Sequence, residues 1–124
     1  LRAENDALKG QIQKNTTGYP ALLGNGNLAL EITGVRQLTP RVRAYELRDP
    51  LGRELPPVTA GAHIQIPVQL ENGEQVLRRY SICSNPKRRD LYEIVVLRKD
   101  QGAASQVIHR YFQLGQKLNC ARPF

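Results

Sequence analysis

A stripe of apolar residues at every second position, turning on an Asn-Gly pair, commits the middle of this chain to antiparallel β-structure. In His63-Ile64-Gln65-Ile66-Pro67-Val68-Gln69-Leu70 the residues Ile64, Ile66, Val68 and Leu70 fall on one face of an extended backbone. Glu71-Asn72-Gly73-Glu74 follows, and Asn-Gly between two extended runs marks a tight hairpin. The next strand is expected over Val76 to Cys83. Weaker alternation precedes it at Leu28, Leu30, Ile32 and Val35, and at Val42, Ala44, Tyr45 and Leu47, with Thr39-Pro40 interrupting the two. Leu91 to Arg98 reads as a further strand. After Gly102 the period switches: Val107, Ile108, Tyr111, Phe112 and Leu114 recur at helical spacing, and Gly115 is expected to cap that helix. Lys117 to Ala121 reads as a closing strand. Five or six short strands and one late helix predict an all-β domain, a small antiparallel barrel or sandwich.

The chain has 124 residues, enough for one domain of ordinary size. Residues 1–27 differ from the rest. Leu1 to Gln13 is rich in helix formers and Lys14 to Asn27 in turn residues, which predicts an N-terminal helix and linker ahead of a domain over 28–124. A start at Leu1 in a chain without Met is what a module of a longer protein would show.

Several classes drop out. No apolar run approaches the ~18 residues that a membrane span needs, and no basic segment leads into an apolar one as in a secretory signal. The reading is a cytoplasmic protein. Cys83 and Cys120 lack CxxC spacing, and His63 and His109 stand far apart, so no metal centre is expected. With 18 Lys and Arg against 11 Asp and Glu the net charge is +7. That points to a polyanionic partner, which could be nucleic acid, a phosphate-bearing cofactor or an acidic protein.

Two segments carry chemistry. In Arg78-Arg79-Tyr80-Ser81, Arg78 and Tyr80 share a strand face and Ser81 is adjacent. A guanidinium grips phosphate, a phenol stacks on or hydrogen-bonds to a flat heterocycle, and a hydroxyl reaches a ring heteroatom. Asp100-Gln101-Gly102-Ala103-Ala104-Ser105 opens the helix. Its small residues and free first-turn N–H groups suit an anion, although an ordinary helix start capped by Ser105 or Asp100 explains it as well. It is neither a P-loop nor a GxGxxG turn.

In order, Gly61-Ala62-His63-Ile64, Arg78-x-Tyr80-Ser81-Ile82-Cys83, Val96-Leu97-Arg98, Gly102-x-x-Ser105 and Leu114-Gly115-Gln116-Lys117-Leu118 resemble the flavin-binding domain of the ferredoxin–NADP reductase superfamily, most of all its phthalate dioxygenase reductase branch. The resemblance covers about Asn27 to Phe124. It implies a six-stranded antiparallel Greek-key β-barrel with one capping helix, and FAD or FMN bound across it. Arg78 would pair with phosphate and Tyr80 with the isoalloxazine or ribityl chain. Ser81 would lie by the flavin N5, the catalytic position. Val96 and Leu97 would offer backbone contacts, and Gly102, Ala103, Ala104 and Ser105 would hold the phosphate end. The branch's loop arginine is missing from Gln101-Gly102-Ala103-Ala104-Ser105, which leaves FAD at least as well supported as FMN.

The same resemblance implies a C-terminal NAD(P)-binding domain, without which the chain is not expected to oxidise NAD(P)H, and a [2Fe-2S] domain or ferredoxin-like acceptor. Two other readings stand beside it. One is an oligonucleotide-binding barrel, disfavoured by only five Tyr, two Phe and no Trp for base stacking. The other is a structural module with a degenerate flavin site. Arg79 is expected to face solvent, and Lys87, Arg88 and Arg89 form a solvated turn or a docking patch for an acidic partner. His63 is expected to point outward, His109 to pack with the helix, Cys83 to be buried and Cys120 to lie in a strand.

Overall fold

The computed structural model describes residues 18–124; the helix expected over residues 1–13 lies outside the described residues. The elements in chain order are β1 (Leu22–Leu23), β2 (Leu28–Thr39), β3 (Val42–Arg48), β4 (His63–Gln69), β5 (Gln75–Ser81), β6 (Tyr92–Leu97), α1 (Ala103–Tyr111) and β7 (Lys117–Cys120). The all-β class with a single late helix stands for the described residues. The ladders differ from one closed six-stranded barrel. Seven strands form a five-stranded sheet, ordered β1-β7-β2-β3-β6, and a two-stranded ribbon of β4 and β5. All pairs are antiparallel except β1 with β7.

The cause of the incomplete closure on one side is legible in the backbone. Leu70 N–H bonds to Glu74 C=O at 2.8 Å and Ile82 N–H to Ala62 C=O at 2.9 Å, so the even-numbered residues of β4 turn their polar groups toward β5. The odd-numbered ones face away, and among them Pro67 has no N–H to offer a further strand. His63 instead exchanges both bonds with Phe124, at 2.8 and 3.0 Å, and the Gln69 N–H is taken by the Tyr19 hydroxyl at 3.0 Å.

The core is where the alternation put it. Leu30, Ile32, Tyr45, Leu47, Ile64, Ile66, Val68, Tyr92, Ile94, Val96 and Leu118 are buried together, joined by Ala104, Val107, Ile108 and Phe112 from α1. Each such aliphatic or aromatic side chain contributes about 1.5–3 kcal/mol by leaving water. Helix α1 packs on β4 and β6 and is tied down by the Tyr45 hydroxyl, which donates to Ile108 C=O at 3.3 Å.

Three local expectations are corrected. The helix stops at Tyr111 with Phe112 already extended, so Gly115 is not its cap but part of the turn into β7. The N-cap is Gly102, with no side-chain cap bond, rather than Ser105 or Asp100. Cys83 is exposed, because the adjacent Ile82 takes the core-facing phase and Cys83 falls in the alternate one. The stretch read as linker also holds structure: Leu23 is buried in the core, and Tyr19 stacks on Tyr111 with ring centroids 4.7 Å apart and planes at 3°.

Candidate functional site

The ribbon and the large sheet meet at a single β-bridge, Ile82 with Ile94, supported by Cys83 N–H to Glu93 C=O at 2.7 Å. Back along β5 from that bridge the two strands make no further ladder. Extending the bridge's register would set Tyr80 against Val96 and Arg78 against Arg98, but there the strands have parted. The result is a gap between β5 and β6, leading toward the loop that opens α1.

Both edges of the gap present unladdered main chain. Arg98 N–H bonds to Arg41 C=O at 2.7 Å, which fixes the phase of the β3–β6 pairing. Residues 92, 94 and 96 therefore turn their backbone groups to β3, and 93, 95 and 97 turn theirs the other way; the Glu93 C=O is taken by Cys83 N–H and its N–H by the Ser84 hydroxyl, which leaves Val95 and Leu97 toward the gap. On the opposite edge the same reasoning turns the backbone of Leu77, Arg79 and Ser81 into the gap. Unpaired strand edges are groups that call for a hydrogen-bonding partner.

The side chains follow from the register. Tyr80 lies opposite Ile64 and Arg78 opposite Ile66, so both project from the ribbon's core-facing side. Ile64 and Ile66 are fully buried, whereas Tyr80 is half-buried and Arg78 exposed, because no strand lies in front of them. Arg78 bonds only to the neighbouring Leu77 carbonyl, at 3.1 Å, and has no carboxylate partner among the described residues. Burial holds the Tyr80 phenol above its ordinary pKa of 10.0, with the Arg78 charge pulling the other way, so it stays a neutral donor. Ser81 stems from the ribbon's other face, opposite His63, and its exposed hydroxyl has no partner among the described residues.

The other sequence-derived positions divide. The Leu97 backbone faces the gap and its side chain is half in water. Val96 does not offer its backbone there: its carbonyl, in the β3 phase, meets His109 Nε2 at 2.8 Å. The Ser105 hydroxyl is committed within the loop, donating to Gly102 C=O and accepting from Lys99 N–H, both at 3.0 Å. A Cβ on Gly102 would come within 2.8 Å of that hydroxyl and 2.9 Å of Lys99 Cβ. The Gly102-x-x-Ser105 spacing thus builds the loop, and it leaves a helix start with no capping side chain and no acid in its first turn. Ala103 is exposed and Ala104 buried at that start.

The sequence places Arg98 at the end of the Val96-Leu97-Arg98 run without giving it a role; it has no carboxylate partner among the described residues and lines a basin of about 530 Å³ beside α1. Its one signal was its place at the end of a strand aimed at the helix start. The basic turn is largely neutralised: Arg88 meets Asp90 at 2.8 Å and Arg89 meets Glu54 at 3.8 Å. The Arg88 hydrogen bond, with Arg48 also near, holds the Asp90 carboxyl far below the usual range. No group of three or more His, Cys, Asp or Glu that could hold a metal occurs among the described residues. No helix among them is long and apolar enough to cross a membrane.

A strand gap edged by main chain, flanked by a neutral tyrosine and an arginine with no carboxylate partner among the described residues, has the groups that a flat, hydrogen-bonding, anionic ligand would need. Residues 29–124 match the family model described as "Oxidoreductase FAD-binding domain". The chain belongs to that family, the flavin-binding domains of the ferredoxin–NADP reductase superfamily. It is 36% identical over 98 residues to the vanillate O-demethylase oxidoreductase of Acinetobacter baylyi, covering 78% of this chain and 30% of that protein. It is 34% identical over 83 residues to the phthalate dioxygenase reductase of Burkholderia cepacia, covering 67% and 24%. A solved phthalate dioxygenase reductase, described as a modular structure for electron transfer from pyridine nucleotides to [2Fe-2S], superposes with a TM-score of 0.70 at 30% identity, over 80% of this chain and 30% of that one. The chain thus spans less than a third of the length of these relatives.

Proposed function

We propose that this chain is the flavin-holding module of an NAD(P)H-dependent reductase, with FAD in the gap between β5 and β6. Three features support a flavin there. Free main-chain edges suit the donor and acceptor edge of an isoalloxazine. Arg78 suits a phosphate, and Tyr80 is a half-buried phenol that can donate to a polar ring or sugar atom. The Leu97 backbone contributes to the same edge, and the first turn of α1, from Gly102 through Ala103 and Ala104 to Ser105, offers N–H groups to an anion. The Ser81 hydroxyl, without a partner among the described residues and next to the bridge that closes the gap, is the candidate for contact with the reacting ring nitrogen. The bound flavin would supply the hydride acceptance and single-electron release, while the chain supplies position and electrostatics.

The division we propose is a flavin unit over 28–124, with residues 1–27 as an N-terminal segment whose described part, from residue 18, packs onto that unit. A C-terminal NAD(P)-binding domain would deliver hydride, and a [2Fe-2S] or ferredoxin-like acceptor would take electrons onward. Two unbridged thiols suit a reducing cytoplasm.

The observation that carries this reading is the parted β5–β6 edge with Arg78 unpaired in front of it. Titrating the chain with FAD and FMN, followed by flavin fluorescence, tests it. Arg78→Ala removes a charge-assisted contact of about 1.5–3 kcal/mol, so affinity should fall by roughly 10- to 150-fold with the fold intact. No flavin binding by the wild type, or unchanged affinity in the variant, would overturn it.

A further inference from the structure

The segment ahead of β2 is held by side chains that have no part in the flavin site. The Tyr19 ring stacks on Tyr111, the last residue of α1, and meets the next residue, Phe112, at 6.3 Å. Its hydroxyl accepts the Gln69 N–H from the outward edge of β4 at 3.0 Å. The Gln116 side chain is buried, and its amide donates to Pro20 C=O at 3.0 Å. Lys117 N–H bonds to Ala21 C=O at 3.2 Å, Leu22 and Leu23 pair with β7, and Leu23 enters the core. Residues 18–23 therefore lie where β7 and β4 approach each other without sharing a ladder, and they reach from there to the end of the helix.

None of these bonds belongs to an antiparallel ladder. The segment joins β2 through Gly24-Asn25-Gly26-Asn27, so it can part from the fold with every antiparallel ladder intact, which is local opening and not unfolding. Opening uncovers Tyr111. It leaves the polar side of the helix end to the exposed Glu71 carboxylate, which accepts from Arg110 at 2.8 Å and from the Tyr111 hydroxyl at 3.3 Å. The nine residues of α1 form one rod with ends about 12 Å apart. Its other end is the turn placed above beside the flavin phosphate, so displacing Tyr111 displaces that turn.

We propose that residues 18–23 are a clasp, closed in this structure, that couples the chain upstream of Gly18 to the flavin site through α1. The proposal rests on the flavin reading above. Coupling is reciprocal: if the open clasp binds flavin more weakly by some factor, bound flavin disfavours opening by the same factor. Both sides are measured on the full chain. Residue-resolved hydrogen exchange follows the Gln69 and Lys117 amides, which the clasp covers, with and without saturating FAD; FAD titrations compare wild type, Tyr19→Ala and Tyr19→Phe. FAD is expected to slow exchange at both amides by about fivefold or more, and Tyr19→Ala to weaken FAD by a similar factor. Tyr19→Phe keeps the ring on Tyr111 and should bind FAD within about threefold of wild type. The exchange arm needs no variant, so a Tyr19→Ala chain that does not fold leaves the test in place. Exchange at both amides unchanged by FAD, or Tyr19→Ala binding FAD as the wild type does, overturns the coupling and leaves the flavin reading standing. Tyr19→Phe losing as much affinity as Tyr19→Ala overturns the route through α1. Failure of the wild type to bind FAD overturns the flavin reading and the coupling with it.

Discussion

Replacing Gly24 with alanine tests whether the stretch before β2 is part of the domain or a tether to it. Gly24 has φ +85°, where an L side chain costs about 1–2 kcal/mol. A Cβ there would also stand 2.3 Å from the Asn119 carbonyl oxygen and 2.7 Å from Pro67 Cγ. Both neighbours are stiff: one is the backbone of β7, the other a ring in β4. Relieving that overlap means moving a strand, a cost of about 1–3 kcal/mol by analogy with overpacked cores. The gain from a less flexible unfolded chain returns only about 0.4–1 kcal/mol. The net expectation for Gly24→Ala is a loss of roughly 3 kcal/mol, or a melting temperature lower by on the order of 9–15 °C for a domain of this size. Two further variants separate the causes. Gly52 has φ +77° with nothing within 4 Å, so Gly52→Ala isolates the backbone cost, about 1 kcal/mol. Gly26 has no positive φ, but a Cβ would meet the Cys120 carbonyl at 2.2 Å, so Gly26→Ala isolates the close approach. Differential scanning calorimetry on the three variants reads the ranking. If Gly24→Ala and Gly26→Ala melt with the wild type, residues 18–26 do not pack as described and the reasoning fails.

Further predictions follow from buried groups. Burial pushes the Cys120 thiol up to about 12, whereas Cys83 is exposed; a chromogenic disulfide at pH 8 should titrate one thiol in the folded chain and two in denaturant, and rapid reaction of both would contradict the packing of β7. His109 is held below its ordinary 6.5, chiefly by burial and further by the Arg43 and Arg98 charges, against the Val96 hydrogen bond. The unfolded chain then binds the extra proton, so the stability linked to His109 is complete above the unfolded value and declines as pH falls through 6.5. Urea midpoints should drop between pH 8 and pH 5.5, less so in His109→Gln, and a flat profile over that range would refute the burial. The carboxylates of Glu46, Asp49 and Asp90, all lowered by hydrogen bonds and neighbouring arginines, lose their contribution only at more acid pH, below the ordinary carboxylate values.

The strands and the helix were legible because burial imposes a period, and the period survives in the sequence. Ile64, Ile66 and Val68 show the period of two, and Ala104, Val107 and Ile108 the helical one. What the period does not encode is which strand edges pair. Nothing in the residue order says that β5 and β6 meet only at Ile82 and Ile94, since an edge is defined by backbone groups that every residue carries. The same holds for residues 18–27. Turn-rich composition reads as linker, yet glycines also appear where two backbones touch, as Gly24 and Gly26 do against β7. The Ser105 hydroxyl is a related case: after Gly-x-x it suits a helix cap or a loop tie equally, and only the distances choose the tie.

One signal of the gap was present in the sequence all the same. Counting back from Ile82 in steps of two gives Tyr80, Arg78 and Val76, and across the hairpin these stand beside Ile64, Ile66 and Val68. Arg78 is therefore in phase with a core stripe. A guanidinium cannot lie in a closed core without a partner, because desolvating it costs several kcal/mol. Either an acid had to be buried opposite, or the barrel had to be open there. Glu93 and Asp100, the nearest acids in the following strand and loop, both lie at the surface and pair with other arginines, Arg36 and Arg41. An unpaired charge in core phase thus implies an opening in front of it, and that opening is where we propose the flavin sits.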